Sequence, residues 1–382
     1  MNKNLWLLTA AQGLFMTNNV VFIAINGLVG LALAPAPWMA TLPVMGYVVG
    51  GALSTGPVAR VQQRFGRRRS FMLGLAVAFG SALLAAVAVQ LASFWLLMLA
   101  TVVAGFYSAN GQLYRFAAGE LAAAGAQEKA VSLVLAGGLL GAVAGPALAQ
   151  RARDWTGPPF MGAYLALAVV ALVALAVVAA IRFPDAQRTQ QAGGGRPLGQ
   201  IMRQPDFIVA AAGAALGYGV MNLLMAATPL AMQVCGMPFG DAATVLQWHV
   251  VGMFAPGFFT GHLIKRFGAL PVMGAGVLLN FGCVAIALSG QDLQQFLVAL
   301  LLLGVGWNFL FTGSTTLAMQ SWRPQEKDAA QAAINFFVFA TMALTSFASG
   351  ALVTTQGWAL LNAASLLPLA ITAALLLWLT AL

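Results

Sequence analysis

Met221-x-x-x-Met225 and His249-x-x-x-Met253 lie on neighbouring apolar segments of this chain. Residues four apart share one face of a helix, so each pair can aim at one point. Thioether and imidazole are the ligands that soft copper prefers. His249 is one of only two histidines among 382 residues. The chemistry these types allow is reversible copper binding, expected as Cu(I), because a thioether binds without losing a proton. A single Met pair in an apolar helix is ordinarily packing. A histidine deep in an apolar span is different, because polar groups there are costly and are functional by default.

The segments that carry the pairs read as membrane helices. The chain is 61% hydrophobic and only 7% charged, against roughly 25% charged in a soluble domain. Its apolar runs are ~20 residues or longer and recur along the whole length, which predicts a polytopic all-α membrane protein. Twelve helices are expected, at about 5–31, 37–59, 70–90, 94–117, 129–150, 159–181, 207–234, 241–263, 270–288, 293–318, 328–354 and 358–381. At a rise of ~1.5 Å per residue, Met225 and His249 lie ~13 and ~12 Å below the outer ends of helices seven and eight. Met221 and Met253 lie ~20 and ~18 Å down. The two pairs therefore match in depth, near the middle of the bilayer.

The net charge of +9 follows topology and is not a nucleic-acid footprint. Of the eighteen Lys and Arg, all but Arg151 and Arg153 fall on one side of the predicted spans. By the positive-inside rule that side is the cytoplasm, and both termini lie in it. The N-terminus runs straight into a long apolar helix, with no small-residue cleavage site expected. The stretch 182–206 contains Gln-Gln-Ala-Gly-Gly-Gly-Arg-Pro and reads as a linker. It separates an N-terminal six-helix bundle (1–181) from a C-terminal one (207–382).

The halves repeat. Ala59-x-x-x-Gln63-Arg64-Phe65-Gly66 matches Gly261-x-x-x-Lys265-Arg266-Phe267-Gly268 at an offset of 202. Gln127-Glu128-Lys129 matches Gln325-Glu326-Lys327 at an offset of 198. Two parallel six-helix halves are the pattern of a major facilitator transporter. The stretch GPVARVQQRFGRRRSFML resembles the loop between helices 2 and 3 of that superfamily, usually G-x-x-x-D-R-x-G-R-R. Arg64, Gly66, Arg67 and Arg68 match, with Arg266 and Gly268 as the second-half counterparts. The resemblance implies a conformational switch loop, while the Arg run alone is equally explained by topology. Gln63 stands where the usual carboxylate does, so the usual charge contact of that loop is in question.

Helices seven and eight, GYGVMNLLMAATPLAM and LQWHVVGMFAPGFFTGHLIKRFG, resemble the CcoA-like branch of the superfamily. Its copper importers carry Met-x-x-x-Met on helix 7 and His-x-x-x-Met on helix 8. The resemblance implies secondary-active copper import by alternating access across a bacterial inner membrane, supplying cytochrome oxidase assembly. The expected ligands are Met221, Met225, His249 and Met253. Cys235, at the outer mouth of helix seven, resembles a functional cysteine of that branch and is a capture point or an inert thiol. Copper is then the transported substrate, and no cofactor is expected. The copper members are richer in cysteine than this chain, which has only Cys235 and Cys283. The same branch also contains riboflavin importers, so riboflavin or another small organic molecule, drug efflux included, is the alternative cargo.

Other polar positions read both ways. Asn18, Asn19, Tyr47, Asn222 and Asn308 can line a substrate cavity or act as hydrogen-bonding glue between helices. Tyr47 is the first-half equivalent of His249 at the offset of 202. An organic cargo would draw on these amides and on Tyr218, Trp248 and Trp307. Gly141-x-x-x-Gly145-Pro146 partly resembles the antiporter signature of drug exporters, and small-residue packing explains it as well. No Asp or Glu lies deep in any predicted span, which argues against a conventional proton relay. There is no P-loop and no catalytic triad, so neither an enzyme nor an ATP-driven pump is expected. The expected partners are the copper ion and the lipid bilayer, with no nucleic acid.

Overall fold

The structure is a computed structural model and describes residues 3–122, 127–183, 196–323 and 326–382. Residues 184–195 of the predicted linker, and Gln325 of the repeated loop, lie outside the described residues. Every regular element among the described residues is helical: α1 Lys3–Leu33, α2 Leu42–Gln90, α3 Phe94–Gly111, α4 Tyr114–Leu121, α5 Gln127–Ala136, α6 Gly138–Ala152, α7 Met161–Ala179, α8 Leu198–Ile201, α9 Pro205–Val234, α10 Phe239–Phe254, α11 Gly257–Phe267, α12 Ala269–Ser289, α13 Leu293–Ala318, α14 Lys327–Thr355 and α15 Gly357–Ala381. A helix suits a lipid span because it satisfies its backbone groups within one segment.

Eleven stretches among the described residues are long and apolar enough to cross a membrane. The eighth of the twelve expected spans, 241–263, is broken at Ala255–Pro256 into α10 and α11. Proline lacks the N–H that would continue the ladder. The break falls two residues beyond Met253.

The helix α2 has 49 residues, roughly 74 Å at helical rise, which is too long for one crossing. It is two spans joined at Gly66, with φ 80° and ψ 168°. Gly268, at the α11–α12 junction, has φ 90° and ψ 166°. This backbone region is essentially reserved for glycine. In both places the preceding Arg stacks over the intervening Phe: Arg64 lies 5.2 Å from the Phe65 ring centre, and Arg266 lies 5.2 Å from that of Phe267. The sequence repeat at an offset of 202 is thus a repeat in backbone conformation.

The chain divides into two compact units, Met1–Gln187 with Gly236–Gln247, and Arg188–Cys235 with Trp248–Leu382. In the first, buried polar side chains pair across helices. Tyr164 donates to Asn26 at 2.6 Å, and Ser70 donates to Asn110 at 2.8 Å. Gly141 lets α6 approach α1, since a Cβ there would stand 2.5 Å from that of Met16. Helix packing therefore accounts for that glycine.

In the second unit, α9 is buried along most of its length. It packs on α13, α14 and α15. Pro229 does not interrupt it, and the Thr228 hydroxyl donates to the Leu224 carbonyl at 2.7 Å. Just before α8, Arg196 donates to both carboxylate oxygens of Glu326, at 2.9 and 2.7 Å, and to the Ser321 carbonyl. The Arg323 N–H adds a bond to the same carboxylate. Hydrogen bonding from Arg196 holds the Glu326 carboxyl far below the usual carboxylate range.

Candidate functional site

The helix α13 is the ruler of the C-terminal unit. On α9, Gly213 sits against Ser314 and Gly217 against Leu310. Four residues along α9 therefore correspond to four residues back along α13. Continuing that register brings Met221 level with Gly306 and Met225 level with Leu302. On α10, His249 Nδ1 lies 2.7 Å from the Leu300 carbonyl oxygen. A Cβ on Gly304 would stand 2.4 Å from the His249 carbonyl oxygen and 2.9 Å from the Met253 nitrogen. Met225 and His249 are thus close in level along α13, as are Met221 and Met253.

All four side chains are buried. A carbonyl oxygen only accepts, so His249 Nδ1 carries the proton and Nε2 presents a lone pair. Nε2 is buried and has no hydrogen-bond partner among the described residues. Among the described residues, no three His, Cys, Asp or Glu side chains come together. A metal in this unit would rest on thioethers and one imidazole.

Below this level lies an aromatic cluster. Trp307 and Phe311 stack with ring centres 5.0 Å apart at 11°. Tyr218 of α9 meets Trp307 edge-on at 5.2 Å and Phe311 at 5.6 Å. Phe254, the last residue of α10, meets Trp307 at 6.2 Å. At roughly 100° per residue, Trp307 and Phe311 occupy the sector of α13 between its contacts with α9 and with α10. The α9 side is marked by Leu310 and Ser314, and the α10 side by Leu300, Gly304 and Asn308. Met221 and Met225 lie on the sector of α9 between Gly217 and Tyr218. They border the same wedge as the aromatic rings.

Several expected cavity residues hold helices together. Asn222 donates to the Met342 carbonyl, Thr345 Oγ1 and Ser346 Oγ of α14, at 3.1, 3.0 and 2.8 Å. Asn308 donates to the Met253 carbonyl at 2.7 Å and accepts from Thr260 at 2.7 Å. It thereby splints the break between α10 and α11. In the first unit Asn18 is buried and Asn19 is half-buried. Tyr47 stacks on Phe22 at 5.0 Å. Cys235 is exposed at the end of α9, its thiol donating to Gln291 Oε1 at 3.2 Å, whereas Cys283 is buried. Trp248 is 46% exposed, so it lies outside the aromatic cluster.

The Arg64–Arg68 loop keeps a charge contact without the missing carboxylate. Arg67 pairs with Glu120 at the end of α4, with Nε donating to Oε2 at 2.6 Å. Arg68 donates to the Ala179 carbonyl at the end of α7. Neither Glu120 nor the Arg196–Glu326 clasp was singled out from sequence. Their partners are 53 and 130 residues away, beyond the reach of any local pattern.

The sequence matches the Major Facilitator Superfamily model over residues 5–257 and 240–381. The chain belongs to this superfamily of membrane transporters and is not an enzyme. Among curated relatives, it is 41% identical to "Riboflavin transporter RfnT" of Brucella anthropi, over 94% of this chain and 91% of that protein. It is 28% identical to the uncharacterized MFS-type transporter YdeG of Bacillus subtilis, over 86% of this chain and 80% of that one. Among solved structures, a bacterial homologue of the human lysosomal transporter Spinster, inward-facing and occupied, superposes with a TM-score of 0.75 at 15% identity. It covers 98% of this chain and 95% of that one. A bacterial homologue of the iron transporter ferroportin, outward-facing, gives a TM-score of 0.66 at 13% identity over the full length of both. At these identities the structures show the shared fold.

Proposed function

We propose that this chain transports riboflavin, importing it across a bacterial inner membrane by alternating access. The observation that carries the reading is the 41% identity, nearly end to end, with a riboflavin transporter. It favours the organic cargo over the copper expected from the two ligand pairs. An aromatic cluster in the C-terminal unit suits a flat aromatic ring, and the buried methionines beside it suit its apolar edge. The bundles 1–181 and 207–382 are the moving bodies on this reading. The loop carrying Arg64, Gly66, Arg67 and Arg68, with Arg266 and Gly268 in the repeat, is its switch. The test is rescue of a riboflavin-requiring strain together with uptake of labelled riboflavin. No rescue and no uptake by a membrane-inserted protein overturn it.

One observation favours copper as a second reading. Metal-ligating histidines characteristically donate their other ring N–H to a carbonyl or carboxylate. His249 does so, to Leu300, and its Nε2 is left without a partner among the described residues. Met221, Met225 and Met253 would complete the ligand set, with Cys235 capturing the ion at the end of α9. Loss of cellular copper accumulation in a His249→Ala, Met253→Leu variant, with riboflavin uptake intact, selects this reading. Unchanged copper in that variant removes it.

A further inference from the structure

Tyr218, Phe254 and Phe311 pack around Trp307. The indole Nε1–H of Trp307 is buried and has no hydrogen-bond partner among the described residues. In a membrane span the lipid offers none either, and an unsatisfied buried polar group is costly. Tyr218, Phe254 and Phe311 are each half-buried, so the cluster keeps an open rim around a covered floor. Two features set its position. The wedge between α9 and α10 is held at one end by the His249–Leu300 bond. At the other end α10 stops at Phe254, where Asn308 and Thr260 brace the break.

The surroundings limit the ligand. Every described Asp, Glu, Lys and Arg of the C-terminal unit lies at a helix end or in a loop. A charged group brought into this wedge would meet no counter-charge, and an unpaired charge in such a place is strongly disfavoured. A flat, uncharged, fused-ring molecule meets no such cost. It can stack on the exposed ring faces in place of their edge-on contacts. A ring carbonyl at its edge can accept from the indole N–H.

We propose that Trp307, Phe311, Tyr218 and Phe254 form the platform that binds the uncharged fused-ring system of the substrate, and that Trp307 Nε1–H donates to a ring carbonyl of that ligand. This rests on the riboflavin reading and adds two things to it, the residues that take the ring and the exclusion of the phosphorylated form. The four platform residues all belong to the second compact unit.

The test uses the full chain, purified into lipid nanodiscs, with ligand binding read from quenching of flavin fluorescence. Three probes are titrated: riboflavin, its 5′-phosphate, and lumichrome, the bare uncharged ring. The wild type is expected to bind riboflavin and lumichrome and to bind the phosphate far more weakly. Trp307→Leu and Phe311→Leu are each expected to raise the Kd for both neutral probes by about tenfold or more. Trp307→Phe keeps the ring and removes the N–H, so it is expected to give a smaller rise and guards against loss of fold in the Leu variants. Unchanged Kd values in folded Trp307→Leu and Phe311→Leu proteins overturn the platform and leave riboflavin transport standing. Lumichrome binding that depends on Trp307, in a protein that neither binds nor carries riboflavin, keeps the platform and overturns the riboflavin reading. A wild type that binds neither neutral ring overturns both, and equal affinity for the phosphate overturns the exclusion.

Discussion

His249 Nδ1 lies 2.7 Å from the carbonyl oxygen of Leu300, and this bond fixes α10 against α13. It also decides which ring nitrogen keeps its lone pair. Removing the imidazole leaves a void at a fully buried position and deletes a buried hydrogen bond, a loss of about 1–3 kcal/mol. His249→Ala is expected to lower the thermal unfolding temperature of the purified protein. An unchanged unfolding temperature would show that the bond does not hold the two helices.

Gly66 and Gly268 share a backbone conformation that other residues rarely adopt. A Cβ at Gly66 would meet nothing within 4 Å, so space is not what demands glycine there. Gly66→Ala and Gly268→Ala are each expected to cost about 1–3 kcal/mol through backbone strain alone. Thermal unfolding in detergent checks this. Full stability in both variants would contradict the assigned turn geometry.

Arg67 and Glu120 form a partly exposed ion pair, and such pairs contribute only about 0–1 kcal/mol to stability. Its expected effect is therefore on transport rate. Glu120→Gln should slow uptake with little change in unfolding temperature. The double exchange Arg67→Glu, Glu120→Arg should recover part of the rate. A large stability loss with normal uptake would make the pair structural instead.

Glu326 carries the pH prediction. Its carboxyl is held far below the ordinary range by Arg196. A depressed folded-state value means that the stabilisation is fully present above the unfolded carboxylate value of about 4.3. It is lost as the pH falls from there through the folded value. The difference in unfolding temperature between the wild type and Glu326→Gln should be constant at neutral pH and shrink only below about pH 4. A difference that shrinks between pH 8 and 6 would contradict the clasp.

The helices were legible because hydrophobic run length is dictated by bilayer thickness. The repeat at Gly66 and Gly268 was legible because a glycine-only conformation leaves its mark on sequence. The break of the eighth span was not read, although Pro256 stood in view, because the run around it stays apolar. The roles of Asn222 and Asn308 needed tertiary partners on α14 and at the break. The aromatic cluster was half visible, through Tyr218 and Trp307. Phe254 and Phe311 joined it only once α10 and α13 were set side by side. Trp248 left it because it is exposed rather than packed among those rings.

The two ligand pairs and the riboflavin relative lead to different cargo, and one experiment separates them. Labelled riboflavin and labelled copper are supplied together to cells lacking their own uptake systems, with and without this protein. Riboflavin accumulation that depends on the protein, with copper unchanged, is the predicted result. Copper accumulation without riboflavin uptake would contradict the account.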